Sequence, residues 1–389
     1  MKKVFFTVLV FSLFSCHQAA VKSVEKTAEN ETVENNDTLT GQKIQVALLL
    51  DTSNSMDGLI EQAKMRLWNI INAMSKLRFQ GNTVDLEIAL YEYGNDNLNE
   101  QEDWLRLVVP LSKDLDEISE KLFALQTNGG SEFCGSVIAN AAKNLIWDDN
   151  QNSLRLIYIA GNEEFNQEGQ NFKEALSSTK AKDIYVSTIY CGAYEDGVAE
   201  FWRDGATIGQ GKYFNIDSDQ KIRFVASPYD DSIAYHNTQL NNTYVSFSRS
   251  GETNKRKQVA QDQANQAMAE GAYIERSIAK SKSSAYDNSH WDLVDKYKKD
   301  PEFVKKIKPE ELPAAMKDKN ADEIEKEVKR LHEERKVQQK AIDELSKKRE
   351  KYLAENKKNQ PKTSDDLGKA IEKSIRELAQ RKGYTWAVD

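Results

Sequence analysis

Asp51, Ser53 and Ser55 occupy alternate positions immediately after the apolar run Val46, Ala47, Leu48, Leu49 and Leu50. One carboxylate and two hydroxyls at that spacing can converge on a point while Thr52 and Asn54 turn away. Hard oxygen donors of this kind suit Mg²⁺, with Mn²⁺ or Ca²⁺ as alternatives. The same residues would also cap a helix over about residues 56–77. A second group of oxygens follows in Thr127, Asn128, Ser131 and Glu132, around Gly129 and Gly130. Two glycines permit close backbone approach to a ligand, and equally the geometry of a helix start. A third group, Asn162, Glu163 and Glu164, follows Gly161 at the end of another apolar run.

An apolar run without alternation is the pattern of a central strand covered on both faces. Residues 42–228 repeat that pattern, with strands expected at 46–50, 84–91, 104–110, 154–160, 184–190 and 211–216. Helices are expected between them, including 115–125. This predicts an α/β fold, a doubly wound and mostly parallel six-stranded sheet. The stripe Leu59, Ile60, Ala63, Leu67, Ile70, Ile71 and Met74 is core packing at helical spacing. Gly94, Asn95, Asp96 and Asn97 read as a hairpin-type turn.

A strand ending in Asp-x-Ser-x-Ser, then a Gly-Gly loop, then a strand ending in a short polar turn resembles the von Willebrand factor type A domain, over about residues 44–225. The resemblance implies a Rossmann-like sheet topped by a metal-ion-dependent adhesion site, where a carboxylate from a protein partner completes the Mg²⁺ shell. The first loop matches in full at Asp51, Ser53 and Ser55. In the second, Glu132 takes the place of the family's threonine, with Ser131 and Thr127 as nearby substitutes. In the third, Gly161 takes the place of its aspartate, leaving Asn162 and Glu163 as donors. One carboxylate has in effect moved from the third loop to the second. The implied function is non-catalytic, adhesion-like protein binding. The alternatives are a cation-dependent hydrolase using Asp51 with Glu132, or a metal-free scaffold with a degenerate site.

The rest of the chain bounds these readings. At 389 residues it should hold more than one folded unit, and a net charge of −8 gives no reason to expect nucleic-acid binding. None of its four histidines pairs with another at zinc-ligand spacing. A Ser-His-Asp order is absent, and no Lys-Ser/Thr follows the Gly-Gly loop, which excludes a P-loop. Lys2 and Lys3 precede a short apolar stretch, the form of an export signal within residues 1–16. Leu13, Phe14, Ser15 and Cys16 resemble a lipobox, which implies a Cys16-lipidated bacterial envelope protein. With His17 in the second mature position, an outer-membrane address is favoured. Residues 17–41 read as a disordered tether.

Cys134 and Cys191 are then the remaining thiols. In an exported protein an even number favours a disulfide between them, the alternative being two buried small apolar residues. Residues 229–354 read as a helical extension. It contains a helix from about Gly251, interrupted at Gly271, with an apolar face of Ala260, Ala264, Ala267 and Met268. Further on, a heptad-like seam runs through Ile324, Val328, Leu331, Ile342, Leu345 and Tyr352, with Arg335, Gln338 and Arg349 at its polar positions. That weak coiled coil would either fold back on neighbouring helices or pair with a partner. Residues 355–389 supply a linker and a last amphipathic helix.

Overall fold

The structure is a computed structural model that describes residues 41–356 and 366–387. The export signal, Cys16 and residues 17–40 of the tether lie outside the described residues. The α/β part runs β1 (Lys43–Asp51), α1 (Asp57–Ser75), β2 (Leu77–Phe79), β3 (Asp85–Tyr93), β4 (Leu105–Ser112), α2 (Leu115–Phe123), α3 (Cys134–Asn144), β5 (Leu154–Gly161), α4 (Phe172–Ala181), β6 (Ile184–Cys191), α5 (Tyr194–Ala199), α6 (Trp202–Ile208) and β7 (Gln210–Ile216). Six strands form one sheet in the order β4-β3-β1-β5-β6-β7. Every pairing is parallel except β3 with the edge strand β4.

From β1 the chain first winds outward through β3 and β4, then returns to lay β5, β6 and β7 on the other side. This reversal creates a switch point at the carboxyl ends of β1 and β5, where open α/β sheets bind ligands. β1 is buried from Ile44 to Asp51 because it lies centrally, with helices on both faces. One face is covered by α3, α4 and α6 through Val137, Ile138, Leu176 and Trp202. Leu59, Leu67, Ile71 and Ile118 of α1 and α2 pack on the other.

The remaining elements are α7 (Asp230–Asn241), α8 (Gly251–Met268), α9 (Glu270–Ser281), α10 (Leu293–Lys299), α11 (Ala321–Glu355), α12 (Leu367–Arg381) and β8 (Tyr384–Trp386). The last helix returns to the sheet. α12 packs on α1, β6 and β7, burying Ala370, Ile371, Ile375 and Leu378 in the core shared with α1. Ser374 Oγ lies 2.9 Å from Ser187 Oγ of β6. β8 then pairs antiparallel with β2, and the Tyr384 hydroxyl donates to the Asn152 carbonyl at 2.8 Å. Helices α7–α11 are therefore inserted between the last strand of the sheet and its last helix.

Two expectations for this insertion change. The break between α8 and α9 falls at Ala269, an extended residue with φ −165° and ψ 136°, and Gly271 is helical. The buried face of α8 is polar, formed by Gln258, Gln261, Asp262 and Asn265, whereas Ala260 and Ala267 are exposed. The polar face exists because α9 carries two buried cations. Arg276 Nε lies 2.6 Å from Asp262, its Nη1 2.8 Å from Asp116 of α2, and its guanidinium 4.6 Å over the Trp68 ring of α1. Lys280 Nζ lies 2.8 Å from Asp262 and 2.6 Å from Asn241 Oδ1. Burial pushes the Asp262 carboxyl up, but Lys280 and Arg276 outweigh it and hold the group below the usual carboxylate range. Charges taken this deep persist only when paired.

α11 folds back within the chain, against α7, α9 and α10. Two of its three polar seam positions are ionic anchors, and the third, Gln338, lies 2.7 Å from His236 Nδ1 through its Oε1. Arg335 Nη1 reaches Asp292 and Asp295, both at 2.6 Å, and Arg349 reaches Asp230 at 2.9 Å and Glu275 at 2.8 Å. The amino-terminal half of α11 adds a separate small core through Ile324, Val328 and Leu331, with Val294 and Met316.

Candidate metal centre

Asp51 ends β1 and Gly161 ends the neighbouring β5, so the first and third loops leave the sheet side by side at the switch point. Asp51 is fully buried. Its Oδ1 accepts the Ser53 backbone N–H at 2.8 Å, which fixes the turn. Ser53 Oγ lies 3.3 Å from Ser55 Oγ, and Ser55 Oγ donates to Asn162 Oδ1 at 3.2 Å. Neither hydroxyl caps a helix through its side chain, so both are free for the cluster.

The second loop is held down by the backbone. Asn128 N–H donates to the Thr52 carbonyl at 3.0 Å, and Asp96 N–H to the Gly129 carbonyl at 2.6 Å. This brings Glu132 into the site, buried, with its Cγ and Asp51 Oδ1 each 2.8 Å from where a β-carbon on Gly94 would stand. On its other side Gln167 donates to Glu132 Oε2 at 3.5 Å.

Asp51, Ser53, Ser55, Glu132 and Asn162 are thus brought together. The Glu163 side chain is exposed, while its carbonyl accepts the Trp202 indole N–H at 2.8 Å, and it acts on the cluster through its charge. Ser131 is half-buried in the second loop, and Thr127 turns away to donate to Asp57.

The electrostatics follow from this packing. Burial raises the Asp51 carboxyl to about 8 against the pull of its Ser53 hydrogen bonds, with Glu132 and Glu163 adding to the rise. Burial also raises Glu132, and Glu163 raises it further. Oδ2 of Asp51 is buried and accepts no hydrogen bond. A buried carboxylate with an orphaned oxygen, in a cluster that also holds two hydroxyls and a second carboxylate, is what a hard dication satisfies. Among the described residues no three His, Cys, Asp or Glu side chains form a metal-holding group, so the donor set that fits is Asp51 and Glu132 completed by the Ser53 and Ser55 hydroxyls.

Sequence reasoning missed a fourth wall, the turn after β3. A β-carbon on Gly94, where φ is +75°, would lie 2.8 Å from Asp51 Oδ1 and 2.8 Å from Glu132 Cγ. Asn95 is buried and donates to the Gln126 carbonyl at 2.9 Å. The available signal was a glycine directly after the strand that neighbours β1.

The expected Cys134–Cys191 disulfide is not formed, and both thiols are free and buried. Cys134 packs in the core under α3 and α4, and Cys191 in the core on the α1 and α12 side. The sheet stands between them. Alternation along β6 decides this, since Tyr190 faces the first core and Cys191 the second. Burial pushes both thiols well above their usual range.

No protein-family model and no curated protein sequence matches the chain. Solved structures do match. Conserved hypothetical protein BatB from Bacteroides thetaiotaomicron is 17% identical, with a TM-score of 0.36, over 45% of this chain and 90% of that one. A von Willebrand factor type A structure from Catenulispora acidiphila is 16% identical, with a TM-score of 0.34, over 45% of this chain and 39% of that one. Proximal thread matrix protein 1 from the mussel byssus, with a zinc-occupied metal-ion-dependent adhesion motif, is 12% identical, with a TM-score of 0.34, over 46% of this chain and 43% of that one. With its central β1 ending in Asp51-x-Ser53-x-Ser55, one antiparallel edge strand and helices on both faces, the α/β part of this chain is a Rossmann-like, doubly wound six-stranded sheet, consistent with the fold that its resemblance to the von Willebrand factor type A domain implies.

Proposed function

We propose that the chain is a membrane-anchored, non-catalytic protein-binding module. In this reading it holds Mg²⁺, or Mn²⁺ or Ca²⁺ in its place, through Asp51, Ser53, Ser55 and Glu132, and presents it to a carboxylate of a protein partner. The observation that carries the reading is Asp51 Oδ2, buried without a hydrogen bond on the carboxylate whose loop also carries the paired Ser53 and Ser55 hydroxyls. A bound dication would keep Asp51 ionised despite its burial. Glu132 replaces a neutral threonine of the family pattern, so its carboxylate competes with the partner's for the cation. That predicts a site with strong metal affinity and a modest grip on its partner. Against catalysis, His236, His290 and His332 all lie in the helical insertion, far along the chain from the loops.

Anchoring rests on Cys16 and the apolar stretch before it. No helix among the described residues is long and apolar enough to cross a membrane. A lipid on Cys16 would attach the protein to the bacterial envelope, with the outer membrane as the proposed address.

Calorimetric titration of Mn²⁺ and Mg²⁺ into the wild type and Asp51→Ala tests the metal site, and equal heats in the two proteins would refute it. Pull-down from membranes with and without chelator tests the partner, which is expected to be lost on chelation. Glu132→Thr is expected to bind metal more weakly and an acidic partner more tightly.

A further inference from the structure

A cleft of about 1260 Å³ opens between α1, α11, α12, the end of α9 and residues 220–225. Eleven lysines and arginines line it against five carboxylates, in a chain whose formal net charge is −8. Each of those carboxylates is already paired with a base of the same wall, as Glu275 is with Arg349 at 2.8 Å and Glu350 with Lys76 at 2.8 Å. Among the described residues Arg78, Lys221, Arg223 and Lys340 line the cleft and have no carboxylate partner. Arg78 donates Nη1 to the Ser75 and Leu77 carbonyls at 2.7 and 2.9 Å, leaving its charge uncompensated. Lys221, Arg223 and Lys340 are exposed.

Concentrating unpaired cations around one concavity, against the charge of the whole chain, creates a local positive potential that recruits anions. We propose that this cleft binds a multivalent phosphate-bearing anion. Two of the unpaired groups are guanidinium forks, which match phosphate oxygens bidentately, and the two lysines add point charges. The four unpaired bases come from three separated parts of the chain: β2, residues 221–223 and α11. The cleft is larger than a single phosphate needs, so a ligand carrying several phosphates would engage all of its walls. On one wall the Arg376 guanidinium lies 4.0 Å over the Trp386 ring, which places a fluorophore beside the bound anion.

Sodium tripolyphosphate titrated into the full-length protein, followed by tryptophan fluorescence and calorimetry, tests this. Saturable binding that weakens steeply with salt is expected, with the fluorescence change lost in Trp386→Phe. The double variant Arg223→Gln/Lys340→Gln removes two exposed charges, so its circular dichroism should be unchanged while its Kd rises by at least about tenfold, through the loss of two charge-assisted contacts. No saturation, an unchanged Kd in the double variant, or equal affinity for citrate would overturn the proposal. Flotation with phosphatidylglycerol vesicles, and with phosphatidylcholine vesicles as control, distinguishes the two sources of the ligand. Binding to the anionic vesicles that the double variant loses assigns a lipid headgroup, and tripolyphosphate binding without vesicle binding assigns a soluble anion.

Discussion

A β-carbon on Gly161 would stand 3.0 Å from Oδ2 of Asp51 and 2.6 Å from the Tyr93 hydroxyl. Glycine is therefore required at the position where the family pattern puts aspartate. The Tyr93 hydroxyl fills the space and donates to the Ala160 carbonyl at 3.0 Å, while Glu132 brings a second buried carboxylate to the cluster from the second loop.

Gly161→Asp is accordingly expected to damage the site, although it restores the family sequence. Forcing a side chain against Tyr93 should cost about 1–3 kcal/mol, seen as a lower urea midpoint with unchanged m-value. Mn²⁺ affinity should fall as well, and a variant that binds Mn²⁺ more tightly at full stability would contradict this account.

Asp51 also sets a pH dependence. Its folded carboxyl is raised to about 8 from an ordinary value of 3.8, so between those values the folded state holds a proton that the unfolded state has released. Stability in chelator should therefore fall as pH rises from about 4 to 8, by up to about 1.4 kcal/mol per unit from this group. Glu132, also raised, acts in the same direction. Asp51→Asn should flatten the profile in chemical denaturation, and saturating Mg²⁺ should flatten that of the wild type. Parallel profiles for wild type and variant in chelator would rule out this role for Asp51.

Arg276→Met should be among the most damaging substitutions in the insertion. It leaves Asp116 without its ion pair and halves the pairing of Asp262, both buried. Removing one partner of a buried ion cluster costs about 3–5 kcal/mol, measurable by thermal or urea unfolding. A loss under about 1 kcal/mol would mean that water reaches the cluster.

Ile375→Ala in α12 and Ile71→Ala in α1 remove side chains from the same core, each fully buried. Both should cost about 2–5 kcal/mol and lower a single shared transition. Two separate transitions in differential scanning calorimetry would show that α12 is not part of the sheet's cooperative unit.

Free thiols give a simpler check. Native protein should react slowly with a thiol reagent at Cys134 and Cys191, and both should react on unfolding without added reductant. A shift in mobility between reducing and non-reducing gels would contradict the separation of the two cysteines by the sheet.

The α/β fold was legible because its strands carry their own signal. The run 46–50 is apolar throughout since β1 is covered on both faces, and Asp51, Ser53 and Ser55 follow at a spacing that only a tight loop keeps on one side. Glu132 was legible as a member of the second oxygen group through its offset from Gly129 and Gly130, and the structure buries it beside Asp51. The role of Gly94 was not, because it depends on β3 lying beside β1, a fact of topology. The cysteine pairing failed for a related reason, since one residue of register along β6 decides which face Cys191 meets. In α8 the period was read from alanines, while the buried face was chosen by Arg276 and Lys280, which sit on another helix. Arg335 and Arg349 looked like flaws in a seam for the same reason, as their partners Asp292, Asp295, Asp230 and Glu275 are remote in sequence.

The insertion of α7–α11 between β7 and α12 has a mechanical consequence. A module joined by a single link can swivel and can be shed by one proteolytic cut. This arm is fastened at both of its ends to neighbouring parts of one sheet, so tension applied to it is divided between two chain crossings, and a nick in either would leave the other holding.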